Sequence, residues 1–219
     1  MEFGNEISED LNKKIRAVTA LIESKNICGI DELVPGYRSL MIHYNPLLIE
    51  YEELVSILTE IEEHINVFEL PPPETIEIPV LYGGRYGPDI ENVAKHNSLT
   101  VQEVIEIHTS TKYLIYMLGF TPGFPYLGGM DKRIACPRLD TPRTKIPAGS
   151  VGIAGEQTGI YPLESPGGWQ LIGRTPIELF NPERENPILV KPGNYIVFKS
   201  IDEEEYINIK SKLSQNGGA

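Results

Sequence analysis

The sequence predicts a two-domain chain: an α+β domain of ferredoxin-like element order, followed by a mostly β domain built as a barrel or sandwich. Three observations carry this. Residues 5–65 read helix, strand, strand, helix; three consecutive prolines at 71–73 close that order; beyond Tyr113 the helical period gives way to short apolar runs between Gly and Pro. The first order is most of a split βαβ unit, and many short, evenly spaced strands build barrels and sandwiches.

Residues 5–25 form an amphipathic helix on this reading. Leu11, Ile15, Val18 and Ile22 recur at helical spacing, Ser8 caps, Glu9 and Asp10 favour the first turn, and 26–29 supply the stop. A hairpin follows over 30–44, turning at Pro35-Gly36, with Leu40, Ile42 and Tyr44 alternating against Met41 and His43. Tyr51, Leu54, Val55, Leu58, Ile61 and Ile65 then make the stripe of a second helix. A ferredoxin-like sheet needs a strand before the first helix, and only Met1–Phe3 stand there, so that strand is expected to be truncated.

The prolines give a stiff extended segment, placing a domain boundary at 73/74. Ile76, Ile78 and Val80 alternate into a strand that Pro79 assigns to an edge or to the start of a new sheet. Over 88–109, Pro88-Asp89 start one short helix and Thr100 caps another, whose face is Val101, Val104, Ile105 and His108. Strand runs are expected at 113–118, 151–154, 169–172, 177–180, 188–190 and 195–198. Residues 74–205 make the second domain and 206–219 a tail; the acidic, then polar stretch 202–219 is expected to form a short terminal helix that frays.

Composition narrows the function. With 41% hydrophobic and 23% charged residues the chain is globular, and a net charge of −12 opposes nucleic-acid binding. No apolar run of membrane length occurs, and the acidic start MEFGNEISED lacks the apolar core of a secretory signal. Cys28 and Cys136 fit no metal or redox spacing, so a cytoplasmic protein with reduced thiols is expected. There is no phosphate loop and no GxGxxG, and Gly149-Ser150-Val151-Gly152 is not a nucleophile elbow because residue 148 is Ala. The four histidines form no metal-ligand spacing, and no metal site is expected.

One stretch stands apart. Residues 118–176 hold 11 of the 20 Gly and 8 of the 18 Pro, and carry a net +2 in an acidic chain. Such a region is either solvated surface or a focus for an anionic ligand. Within it, Arg143 and Lys145 are surface charges or a clamp for carboxylate or phosphate, with Arg174 a further cation. Gln157, Thr158 and Tyr161 are turn formers or groups that orient a small amide. Gly167 and Gly168 precede the sole tryptophan, Trp169, which walls a pocket or fills the core. Ser150 is a donor rather than a nucleophile. Phe120, Phe124 and Tyr126 line a pocket, fill the core or meet a partner. His108, just outside, lies on an apolar helical face, where a packed, hydrogen-bonded histidine is the commoner outcome.

The phrases EIHTSTKYLIYMLGFTPGFPYLGG and PRLDTPRTKIPAGSVGIAGEQTGIYPLESPGGWQLIGRTPIELF, with VPGYRSLMIHYNP and IPVLYGG before them, resemble one family over nearly the whole chain. That family contains the B subunit of 5-oxoprolinase, the Kip-type kinase inhibitors and the first subunit of allophanate hydrolase, and the same unit recurs in the carboxyltransferase region of urea amidolyase. The resemblance implies a ferredoxin-like first domain and a cyclophilin-like β-barrel. Members usually begin with a further strand, with a Gly-Asp-Ala-like phrase ahead of the Glu-Phe-Gly at 2–4.

Three functions are implied. The first is a component of an ATP-dependent 5-oxoprolinase, inactive alone, which with subunits A and C opens 5-oxo-L-proline to L-glutamate; ATP with Mg would be held at the level of the complex. Activating an amide by phosphorylating its oxygen relies on positive charge and N–H donors. The second is inhibition of a sporulation-type histidine kinase. The third, carboxyl transfer from carboxybiotin, is weakened because no Met adjoins a Lys, so the chain carries no biotin attachment site. The preserved loop segment favours the oxoprolinase role. The resemblance also places a histidine at 108. On this basis His108, Arg143 and Gln157 are the catalytic candidates. Lys145, Ser150, Thr158, Tyr161, Gly167, Gly168, Trp169 and Arg174 bind substrate, and Phe120, Phe124 and Tyr126 line the pocket or meet the partner.

Overall fold

Each of the two compact units of the computed structural model, Met1–Pro73 and Glu74–Ala219, carries its own core. The structure describes residues 1–64 and 70–216.

In the first unit, α1 (Glu9–Lys25) starts where Ser8 accepts the Leu11 N–H and stops at left-handed Asn26. The cap fixes the start at residue 9, later than the expected 5. β1 (Ile30–Pro35) and β2 (Leu40–Tyr44) pair antiparallel, Leu33 opposite Ile42 and Pro35 opposite Leu40. α2 (Tyr51–His64) buries Leu54, Leu58 and Ile61 with Ile15, Val18 and Ile22 of α1. Tyr51 and Val55 lie off that narrow stripe and are 62% and 41% exposed, contrary to the expected face; Ile65 lies outside the described residues. Met1–Phe3 run beside β2, with the Phe3 N–H donating to Arg38 and the Leu40 N–H to Met1. The contact amounts to a single bridge, Glu2 with Ser39. Among the described residues this unit therefore shows one antiparallel hairpin with two helices, and residues 1–3 bridged to the edge of the hairpin.

The second unit is mixed α/β around a barrel-like sheet. Its elements are β3 (Thr75–Tyr82), α3 (Ile90–His96), α4 (Val101–Ser110), β4 (Lys112–Leu118), β5 (Pro125–Gly128), β6 (Arg143–Ile146), β7 (Ser150–Ala154), β8 (Gln157–Ile160), β9 (Ser165–Gly167), β10 (Gln170–Arg174), β11 (Tyr195–Ser200) and α5 (Glu203–Asn216). Seven strands form one sheet in the order β5-β4-β11-β3-β10-β7-β8, and β5 meets β8, so the barrel nearly closes. Every neighbouring pair is antiparallel except β3 with β11. β6 and β9 form a separate antiparallel pair. Ile78, Val80, Tyr113, Ile115, Val151, Ile153, Ile160, Ile172, Ile196 and Phe198 fill the interior. A smaller cluster of Phe124, Ile146, Ala154, Tyr161, Trp169 and Leu171 forms beside it.

Of the two positions expected for Pro79, the second holds: β3 is the first strand of the seven-stranded sheet and lies inside it, tolerated because β10 pairs with β3 only at Leu81 and Tyr82, leaving Pro79 with no ladder partner on that side. The runs at 177–180 and 188–190 make only one bridge, Phe180 with Ile188, since Pro176 and Pro187 remove donors where each would start. The terminal helix expected within 202–219 is present as α5, 14 residues long. Asp202 accepts the Glu205 N–H and starts α5 at Glu203, and Tyr206 is buried against the unit.

Candidate functional site

Phe124 is the hub of an aromatic nest. Its ring is 2% exposed and meets Phe120, Tyr126, Tyr161 and Trp169 edge-on, with centroids 5.4–5.7 Å apart. Edge-to-face contact is the arrangement that ring quadrupoles favour. The β4–β5 loop builds one wall: the Thr121 N–H donates to Gly119, the Phe124 N–H to Thr121 and the Gly119 N–H to Phe124. This tight turn holds Phe120 at φ +61°, a left-handed conformation unfavourable for a bulky residue, with its side chain 64% exposed. β8 and β9 build the other walls with two glycines. A Cβ on Gly159 would stand 3.1 Å from both Phe124 and Trp169, and one on Gly167 would stand 2.5 Å from the Tyr161 hydroxyl.

The nest opens into a cavity of about 400 Å³ lined by Phe120, Phe124, Tyr126, Gln157, Tyr161 and Trp169, with Gly167, Gly168, Pro142 and Pro166. Arg138 supplies the charge at its rim. Tyr161 is pushed up to about 12, chiefly by burial, with Arg138 and Arg143 acting in the opposite direction. It therefore stays a neutral phenol at physiological pH.

Arg143 stands behind this pocket. Its Nη2 donates to Asp89 Oδ1 at 2.7 Å, and Asp89 Oδ2 accepts the Leu171 N–H at 2.7 Å. Asp89 is buried, so its charge is met by one guanidinium and one backbone donor. Through Leu171 and through Nη1, which reaches 3.5 Å from the Trp169 carbonyl, the pair ties down the start of β10 and Trp169 just before it.

His108 belongs to a different place. It is fully buried; Nε2 lies 2.9 Å from Thr158 Oγ1 and Nδ1 lies 2.8 Å from the Tyr82 hydroxyl. Thr158 donates onward to the Gly152 carbonyl, so it accepts from Nε2–H, and Tyr82 donates to Nδ1. Phe198 stacks on the ring at 4.4 Å, and burial pulls its pKa down to about 3. A neutral imidazole with both nitrogens engaged has no proton to exchange with a bound molecule. The structure places His108, expected as catalytic, and Thr158, expected to bind substrate, together in the core and outside the lining of the aromatic cavity.

The remaining candidates are dispersed. Ser150 is buried and donates to the Pro147 carbonyl, Lys145 pairs with Glu164 in solvent, and Arg174 lies over the Tyr86 ring. None of these three lines the aromatic cavity. Sequence reasoning missed three residues. Asp89 read only as a helix start, although its carboxylate makes no capping bond and crosses to Arg143; Arg138 and Tyr82 were not singled out. No local pattern marks any of them. No group of three or more His, Cys, Asp or Glu able to hold a metal occurs among the described residues, and no helix there is long and apolar enough to cross a membrane.

A family described as the carboxyltransferase domain, subdomain C and D, matches residues 1–190. The chain is 46% identical to the 5-oxoprolinase B subunit of Bacillus subtilis (strain 168) over 218 residues, 94% of this chain and 90% of that protein. It is 44% identical to the protein of the same name from Escherichia coli O157:H7, over 84% of this chain and 82% of that one. Among solved structures, that of TTHA0988 superposes with a TM-score of 0.82 at 34% identity, covering 92% of this chain; this chain spans only 39% of the length of that one.

Proposed function

The chain belongs to the carboxyltransferase subdomain C and D family, and from that premise we propose that it is the B subunit of a 5-oxoprolinase, acting with subunits A and C to open 5-oxo-L-proline to L-glutamate. The observation that carries this reading is the extent of the likeness to proteins of that name, which runs through both units rather than one motif.

The geometry adds a division of labour. The cavity offers aromatic walls, a guanidinium, a carboxamide and a neutral phenol, but no group that accepts a proton at neutral pH. His108 is sealed in the core, and both Asp89 oxygens are engaged. Such a site binds and orients; it does not by itself drive water onto an amide. Nor does it fit ATP with Mg: one arginine and no convergent carboxylates do not make a triphosphate and metal cradle. The nucleotide site therefore falls to another subunit; the free thiols of Cys28 and Cys136 suit a cytoplasmic complex. We assign the first unit to the ferredoxin-like class and the second to the cyclophilin-like barrels.

Reconstitution tests this. Purified chain mixed with subunits A and C, ATP and Mg²⁺ should release glutamate from 5-oxo-L-proline, with no release when any one protein is omitted. Equal turnover without this chain would remove it from the enzyme, and suppression of a histidine kinase's autophosphorylation without the other subunits would favour the inhibitor reading.

A further inference from the structure

Within that reading, we propose that the Phe124 cavity is the seat of a small cyclic amide acid, with Arg138 as the anchor of its carboxylate and the Phe124 nest as the surround of its ring.

The charge distribution comes first. Among the described residues Arg85, Arg133, Arg143 and Arg184 each hold a carboxylate, and Lys132 and Lys145 in the same basic stretch do so as well. Among those residues Arg138 pairs with no carboxylate; Arg38, which donates to the Asn5 carbonyl, and Arg174, over the Tyr86 ring, share this, but of the three Arg138 alone lines the aromatic cavity. It lines the cavity and lies close enough to Tyr161 to act on its ionisation. A planar guanidinium left unneutralised at the rim of an apolar pocket is suited to a carboxylate, which it grips by two parallel hydrogen bonds.

The walls select the rest of the ligand. Phe120, Phe124, Tyr126 and Trp169 present ring edges and faces to a space of about 400 Å³, within the range of small-molecule sites. A compact ring fits where an extended chain would leave the nest half filled. Gln157 on β8 and Tyr161 beside Gly167 add polar atoms in the same cavity, the partners an amide in the ring requires. Phe120, left-handed in backbone and largely exposed, lines the same cavity.

Trp169 is the only tryptophan and lines the cavity, so its fluorescence reports occupancy without a label. The full-length protein is titrated with 5-oxo-L-proline and with 2-pyrrolidinone, the same ring without the carboxylate. The acid should give a saturable change. Arg138→Gln should weaken it about tenfold or more, and 2-pyrrolidinone should bind at least about tenfold more weakly than the acid and equally to both proteins. Arg138→Lys should fall between, because it keeps the charge and loses the fork. Arg138 is exposed, so the variants should keep the wild-type unfolding midpoint, and calorimetric titration repeats the comparison without the optical probe.

No saturation by the acid, equal affinity in Arg138→Gln, or equal binding of the two rings would overturn the assignment. The oxoprolinase reading fails separately. If the reconstituted mixture is inactive with wild-type protein, that reading is wrong; if it is active and Arg138→Gln matches wild type, the reading stands and the anchor does not.

Discussion

Around His108 and around Phe124 the second unit gathers aromatic rings with a few polar atoms, and the two clusters finish differently. At His108 every polar atom is engaged: Tyr82 donates to Nδ1, Nε2–H donates to Thr158, Thr158 donates to Gly152, and Tyr113 donates to the His108 carbonyl. At Phe124 the rings pack as closely, yet the cluster opens into a cavity whose arginine has no carboxylate partner among the described residues. A saturated network has its energy committed to the fold, whereas an unneutralised charge beside an apolar wall has interaction energy left for a ligand. Residue type does not separate the two, because both draw on Tyr, Phe and Thr or Gln. What separates them is the charge at the second, Arg138, which has no carboxylate partner among the described residues.

The sharpest way to break this contrast is at the saturated cluster. His108→Ala leaves a cavity and strands the Tyr82 and Thr158 hydroxyls without their partner, and should lower stability by about 3–5 kcal/mol in urea unfolding. The same residue sets a pH dependence. Its folded pKa, about 3, lies below the ordinary 6.5, so the unfolded chain takes up its proton first as the pH falls. The stability of neutral His108 is complete above pH 6.5 and is lost towards pH 3, at up to about 1.4 kcal/mol per pH unit. Other groups titrate too, so the quantity to read is the difference between wild type and His108→Gln at pH 7, 5 and 4. An identical slope in both proteins would mean that the imidazole is not held neutral.

This cluster also shows where the sequence stops being legible. The apolar face Val101, Val104, Ile105 and His108 was readable because helical periodicity is local; α4 follows it, starting with the Thr100 and Glu103 capping box. The partners of His108 were not readable, since Tyr82 and Thr158 lie 26 and 50 residues away. Asp89 is hidden for the same reason, 54 residues from Arg143 and 82 from Leu171. The Gly- and Pro-rich stretch did mark the aromatic residues that meet in the cavity, because such density prescribes turns and turns place rings. Arg138 escaped: nothing in ACPRLDTP distinguishes a cation that will find no partner from one that will. Pairing is a property of the folded surface.

At the open cluster, Gly167→Ala should have the next largest effect. The new Cβ would lie 2.5 Å from the Tyr161 hydroxyl and 2.9 Å from Ile146 Cδ1, and Ile146 is fully buried. Neither neighbour yields cheaply, so about 1–3 kcal/mol of destabilisation is expected, together with loss of the Trp169 response as Tyr161 shifts into the cavity. A variant that keeps both stability and response would show that the β9 glycine is not what makes room for the phenol.

The smallest stability effect, and the most discriminating one, is expected at Phe120. Phe120 is 64% exposed and, among the described residues, its ring contact is the edge-on one with Phe124, so truncation removes little buried area. Its φ of +61° is one that glycine adopts without the steric cost a side chain incurs. Phe120→Gly trades relief of that strain against a more flexible unfolded chain, and the two should leave stability within about 1 kcal/mol of wild type. Binding of 5-oxo-L-proline, read from Trp169, should nevertheless weaken by roughly threefold to tenfold, since one aromatic contact with a ligand is worth on the order of 1 kcal/mol. A residue that costs the fold nothing to lose but costs the ligand a wall is what an open cluster predicts and a saturated one cannot supply. Unchanged affinity would place Phe120 outside the site, while a large loss of stability would mean that the exposed ring supports the fold through more than its edge on Phe124.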